Sequence, residues 1–145
     1  MVAKGNPKNI TTIADIAKEG ISYVNRQKGS GTRILLDYLL KKDNIDPDNI
    51  YGYEREEFTH TSVAAQIASG SGDCGMGIYS AAKIYDLDFI PICNEQYDFL
   101  TLKENLQLPM LKEFINVLQS EEFTARMLEM GGYEPNRPGE IEFID

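Results

Sequence analysis

Arg26-Gln27-Lys28-Gly29-Ser30-Gly31-Thr32-Arg33 is the stretch on which the fold turns. Before it, Ile21-Ser22-Tyr23-Val24-Asn25 is rich in β-formers and bounded by turn residues, the pattern of a strand. After it, Ile34, Leu35, Leu36, Leu39 and Leu40 fall at helical spacing. The order is strand, glycine-rich turn, helix, the unit from which α/β domains with parallel sheets are built. The turn also carries chemistry. A helix N-terminus has unpaired backbone N–H groups and a partial positive charge, so it attracts anions. Gly29 and Gly31 let the backbone approach a ligand, Ser30 and Thr32 add hydroxyls, and Arg26, Lys28 and Arg33 add charge. A tight strand-to-helix turn with an ordinary N-cap explains the same residues, and both readings stand on the local sequence. Two nucleotide-binding patterns are absent: Lys28 precedes both glycines where a P-loop needs it after them, and Gly-x-Gly-x-x-Gly does not occur.

Working outward, strands and helices continue to alternate. Thr12, with Asp15 three residues on, caps a short helix over 13–18 that ends at Gly20. Asp46-Pro47-Asp48 breaks the helix after the glycine turn, and residues 50–54 have the pattern of a short strand. Thr59-His60-Thr61-Ser62 offers N-caps for a helix through Val63, Ala64, Ile67 and Ala68. Residues 74–79 form a glycine-rich buried strand, 80–85 a small helix and 88–93 a strand with Pro91 near its end. Residues 97–102 offer one more strand. Leu111, Phe114, Ile115, Leu118, Phe123, Met127 and Leu128 give 109–130 the spacing of one long or two broken helices. The expected fold is a single α/β lobe over residues 1–145, a mainly parallel sheet flanked by helices, with 106–131 as a C-terminal helical segment.

In a parallel sheet the helix N-termini gather beside the carboxyl ends of the strands, where ligands usually sit. The Ser30–Arg33 and Thr59–Thr61 turns are therefore expected to converge. His60, the chain's one histidine, suits a hydrogen-bond donor there or an ordinary cap. No catalytic constellation emerges, because no serine lies in a Gly-x-Ser-x-Gly elbow and Glu54, Glu56 and Glu57 have the look of a solvated turn. Cys74 and Cys93 form neither a disulfide framework nor zinc-ligand spacing, so no metal or cofactor is expected.

The chain has 145 residues, enough for one domain. Residues 1–42 carry eight Lys/Arg against three Asp/Glu, a balance of +5, whereas 43–145 carry six against twenty, a balance of −14. Such an acidic surface disfavours nucleic acid, while leaving room for a small anion in the first segment. No apolar run is long enough to span a bilayer and no signal-peptide pattern follows Met1, so a cytoplasmic protein with no membrane partner is expected.

Several stretches, taken in order, resemble a known family. They are Val24 to Arg33 with Leu35-Leu36-Asp37, Gly52-Tyr53-Glu54-Arg55-Glu56-Glu57 with Thr59-His60, and Val63-Ala64 to Gly70. They continue with Gly72-Asp73-Cys74-Gly75-Met76-Gly77, Ala81-Ala82 to Pro91, and Glu95-Gln96-Tyr97-Asp98. Together they cover about residues 2–100. The resemblance is to the periplasmic-binding-protein-like (type 2 solute-binding) domain attached to molybdenum-cofactor biosynthesis proteins and molybdate-type regulators. It implies a ligand-binding fold with no catalysis of its own and an oxyanion ligand, molybdate or tungstate, held at helix N-termini. The residues it implicates are Ser30, Gly31, Thr32 and Arg33 at one turn and Thr59, His60 and Thr61 at the other, with Tyr53 and Asp73 nearby; for such a ligand Arg33 or Arg26 is expected to balance the charge. It also implies that only the second-lobe part is present, so that a second copy or a separate first-lobe protein becomes a partner. A small organic anion, carboxylate or purine-like, and a protein-interaction or dimerisation module without a small ligand are the alternative functions.

Overall fold

A computed structural model describes residues 1–144 and divides the chain into two compact units, Met1–Pro91 and the residues from Ile92 onward. The first unit is a mixed α/β structure with a small parallel sheet. Strand β1 (Asn25–Arg26) pairs in parallel with β2 (Glu56–Glu57), Asn25 opposite Glu56 and Arg26 opposite Glu57. Single bridges widen this ladder: Tyr23 pairs in parallel with Cys74, and Val2 pairs antiparallel with both Cys74 and Asp88. The segment from Tyr23 to Arg26 thus lies centrally, between the 51–57 segment and Cys74.

Side chains along this segment alternate in direction, as the period of an extended chain requires. Tyr23 belongs to a cluster with Val2, Ile10, Ile16, Ile21, Leu36, Leu40 and Ile50. Val24 belongs to a second cluster with Val63, Ala64, Ile67, Ala81, Ala82 and Leu87. Helix α1 (Gly31–Lys42) packs on the first side. Helices α2 (His60–Ala68) and α3 (Tyr79–Ile84) pack on the second. The strand at the centre is therefore buried on both faces, which is why its sequence is so apolar up to Asn25.

The regular ladder is shorter than the sequence pattern suggests. Residues 50–54 are a double turn, with Tyr53 N donating to Ile50 O at 3.1 Å and Arg55 N to Gly52 O at 2.9 Å. The turn adds residues between the two contacts that flank it, Tyr23 N to Tyr51 O and Asn25 N to Arg55 O, both 2.9 Å. The strand consequently starts only at Glu56. Gly52, at φ 93°, makes this turn possible, since a Cβ there would collide with the Tyr23 carbonyl. Residues 74–79 and 88–93 contribute bridges at Cys74 and Asp88 rather than continuous strands, and 97–102 form no strand. The first helical turn, Ile13–Ala17, is a 3₁₀ helix with the expected Thr12/Asp15 capping box.

The second unit contains a 3₁₀ turn (Lys103–Gln107) and helices α4 (Pro109–Leu118) and α5 (Glu121–Met130), broken at Gln119–Ser120. Ser120 caps α5 through its side chain, which accepts from Phe123 N at 3.1 Å. Aromatic rings form a chain in this unit, Tyr97 edge-on to Phe99 at 5.4 Å and Phe99 edge-on to Phe114 at 5.0 Å. No helix among the described residues is long and apolar enough to cross a membrane.

Candidate functional site

The two hydroxyl-rich turns are the N-termini of α1 and α2. Ser30 is the N-cap of α1, its Oγ accepting from Arg33 N at 3.2 Å. Thr59 caps α2 in the same way, accepting from Ser62 N at 2.9 Å, while Ser62 Oγ accepts from Thr59 N at 3.1 Å. These caps satisfy the third donor of each helix and leave the first two. Among the described residues, no acceptor meets the N–H groups of Gly31 and Thr32 in α1 or of His60 and Thr61 in α2. Thr59 and Thr61 also share a hydroxyl–hydroxyl contact of 3.0 Å. Each turn thus presents free donors and a partial positive charge.

Arg26 ties the two turns together. Its main chain forms the end of β1, immediately before the turn into α1, and its side chain reaches the start of α2. There NH1 lies 2.9 Å from His60 Nδ1 and NH2 donates to Phe58 O at 3.2 Å, while Nε donates to Gln27 Oε1 at 3.2 Å. All three partners are neutral. The residue is only 8% exposed, and burial holds its basicity below the usual arginine value. Among the described residues no carboxylate forms an ion pair with it. A buried guanidinium without a counter-ion is a costly arrangement in a protein that does not use it.

Arg33 and Lys28 are placed differently. The Arg33 side chain is 3% exposed and points back into the structure, with Nε on Asp37 Oδ1 at 3.1 Å and NH1 on Glu56 Oε1 at 3.4 Å. NH1 also approaches the Arg26 carbonyl at 3.5 Å, and the guanidinium stacks over the Tyr53 ring at 4.0 Å. Tyr53 OH donates to the same Asp37 oxygen at 2.6 Å. Burial and then the Asp37 carboxylate raise the Tyr53 phenol above its ordinary value, keeping it a donor. Arg33, Tyr53, Asp37 and Glu56 therefore form a closed set that fastens α1 to β2 and to the 50–55 turn. Lys28 pairs with Glu54 at 3.0 Å on the surface. Asp73 accepts from Ser22 N at 2.7 Å and belongs to the sheet contact between those segments.

The geometry thus brings Arg26 and His60 into direct contact, and Thr59 with Thr61. Ser30, Gly31, Thr32 and Arg33 share the first turn of α1. Tyr53 and Arg33 face each other rather than the free donors. Asp37 was legible as a partner for Arg33 from the i,i+4 spacing on a helix. Glu56 and the Phe58 carbonyl carried no such signal, because their roles depend on the β1–β2 pairing. Among the described residues no three His, Cys, Asp or Glu side chains gather as metal ligands would.

His60 is neutral in this setting. Partial burial first, and the adjacent Arg26 charge second, push its basicity below the ordinary histidine value of 6.5. Arginine can only donate, so Nδ1 is the acceptor in the contact and the ring proton sits on Nε2. The assembled groups are consequently donors almost without exception: four backbone N–H groups, the Thr32 hydroxyl, the imidazole Nε2–H and a guanidinium. Such a set stabilises negative charge and offers little to a cation or a proton donor.

Comparison with known proteins supplies a family context. A family model described as a PBP superfamily domain matches residues 1–119. The Bacillus subtilis (strain 168) protein titled "Uncharacterized protein YvgK" is 41% identical over 140 residues, 97% of this chain and 45% of its own length. The chain thus spans somewhat less than half of that relative. A Clostridium pasteurianum protein, "Uncharacterized protein in ferredoxin 2Fe-2S gene 5'region", is 34% identical over 109 residues, 74% of this chain and 96% of its own length. No solved structure matches at a significant level.

Proposed function

This chain belongs to the PBP superfamily domain family, and from that premise we propose that it binds a small oxyanion, without converting it, where the N-termini of α1 and α2 meet Arg26. The observation that carries the reading is the Arg26 guanidinium, buried, bonded among the described residues only to neutral groups and reaching from the turn before α1 to the start of α2. Lys28 and Arg33 have carboxylate partners in the protein, whereas Arg26 would obtain its counter-ion from the ligand. Thr32 with its free N–H, the Gly31 N–H and the Ser30 hydroxyl take ligand oxygens at one turn, and the His60 and Thr61 N–H groups take them at the other. A site built of donors favours an anion that carries no proton at neutral pH. Molybdate and tungstate are tetrahedral dianions of that kind, and they are the ligands we assign.

A small organic carboxylate is held best by an arginine fork, and Arg33 would be a candidate to supply it. Asp37 and Glu56 occupy that fork, which favours the oxyanion. The protein-interaction alternative draws on the second unit, where Met110 and Val117 are exposed along one side of α4. A concentration-dependent dimer indifferent to anions would favour it.

A thermal-shift screen against molybdate, tungstate, sulfate, phosphate and small carboxylates tests the assignment. A ligand confined to the folded state adds about 2.7 kcal/mol at a hundredfold excess over Kd. Melting raised by molybdate or tungstate, and less by phosphate or carboxylates, is the expected result. A response to carboxylates alone replaces the ligand, and no response to any anion removes the proposal.

A further inference from the structure

Arg26 and His60 meet through groups whose roles are fixed on one side only. The guanidinium donates at every pH, whereas the imidazole can either accept or donate at Nδ1. At 2.9 Å the contact requires Nδ1 to accept. A proton added there would set donor against donor and cation against cation, in a place half removed from water. No other titratable side chain lies on α2. Of the elements packed against it, β1 presents Arg26, β2 presents Glu56 and Glu57, and α3 presents Tyr79 and Lys83. Glu56 is engaged by Arg33, and the charge that acts on His60 is that of Arg26.

We propose that the Arg26–His60 contact couples anion binding to the uptake of one proton by His60. This rests on the oxyanion reading of the site above. Without ligand, Arg26 holds His60 neutral and fixed as the Nε2–H tautomer. An anion seated against Arg26 and the His60 N–H cancels the guanidinium charge, so that Nδ1 gives up its contact with Arg26 and takes a proton without setting two uncompensated cations side by side. The imidazolium then adds its own attraction to the anion. Proton and anion favour one another, and the coupling is reciprocal. His60 is a specificity residue in consequence, because a neutral ligand in the same position would leave its protonation unchanged.

The experiment uses the full chain labelled with ¹⁵N-histidine, whose single imidazole gives an unambiguous NMR signal. Tautomer and titration midpoint are read between about pH 5 and 8, the range in which histidine switches, with and without saturating dilute tungstate. Tungstate affinity is measured by calorimetry across the same range. Expected are an Nε2–H tautomer with a midpoint below 6.5 in the free protein, and a higher midpoint with tungstate. Affinity then rises as pH falls, about tenfold for each unit the midpoint moves. His60→Gln flattens that dependence. Bound tungstate that leaves the midpoint unmoved overturns the coupling and leaves the anion site standing. Absence of tungstate binding at every pH overturns both, and an Nδ1–H tautomer in the free protein overturns the Arg26 contact itself.

Discussion

Arg26→Met removes a buried guanidinium that no carboxylate balances among the described residues, and its expected effect on the protein without ligand is small. The side chain gives up hydrogen bonds to His60, Phe58 O and Gln27, each contributing about 1 kcal/mol net. In exchange, the protein no longer holds a desolvated charge, a cost of several kcal/mol for an unpaired ion. Methionine fills much of the same space. The two contributions nearly cancel, and stability should stay within about 1 kcal/mol of the parent, or roughly 2–4 °C in melting temperature for a chain of this size. Arg33→Met is the contrasting case. It takes the charged partner from Asp37 and Glu56, leaving them the weaker hydrogen bonds from Tyr53 OH and Lys28 N, and removes the stack on Tyr53. Because both carboxylates are partly exposed, solvent recovers some of the loss, which leaves a deficit of about 2–3 kcal/mol. Thermal melts of the two variants, with and without tungstate, distinguish them. Arg26→Met should melt close to the parent and lose the rise that tungstate gives, whereas Arg33→Met should melt clearly lower. Equal destabilisation by the two substitutions, or an undiminished tungstate response in Arg26→Met, refutes the contrast between a ligand-facing and a structural arginine.

Other consequences are open to simple assays. Ser30→Ala with Thr32→Ala should abolish anion binding by calorimetry, and the lost Ser30 cap should lower stability by about 1 kcal/mol. Asp15 is held below its ordinary value of 3.8, first by Lys18 and then by the backbone N–H groups of Thr11 and Thr12. Its contribution to stability is therefore complete above about pH 5 and fades as pH falls below 3.8. Asp15→Asn should lower the melting temperature at pH 7 and reduce its decline on acidification. Burial pushes the Cys74 thiol up to about 12, while Cys93 is exposed. A thiol reagent at neutral pH should label one cysteine in the native chain and two after denaturation, and rapid native labelling of Cys74 would contradict its placement.

What could be read from the sequence was local. Ser30 before the Ile34–Leu40 spacing and Thr59 before Val63 mark helix starts, because caps and helical periodicity involve neighbours a few residues apart. Those two starts are also where the free donors lie. The sheet was less legible. Tyr23 meets Cys74 and Val2 meets Asp88, pairings across long stretches of chain that no local pattern encodes. The 50–54 segment has a strand's composition, yet Gly52 turns it before Glu56 can pair. The arginines show the same division. Nothing near Arg33 announces that it is buried, since the closing ring of Tyr53 comes from a turn twenty residues away. Arg26, at the end of an apolar strand, was identifiable as a ligand candidate. Its lack of a carboxylate partner among the described residues became visible only when β2 and α2 were placed around it.

Calorimetric titration of tungstate and molybdate into the full chain at neutral pH, beside Arg26→Met, tests the central claim most directly. Stoichiometric binding to the parent, with affinity lost in the variant and the fold retained, is the result the anion site requires. Equal binding by parent and variant, or heat from neither oxyanion in a folded parent, would contradict it.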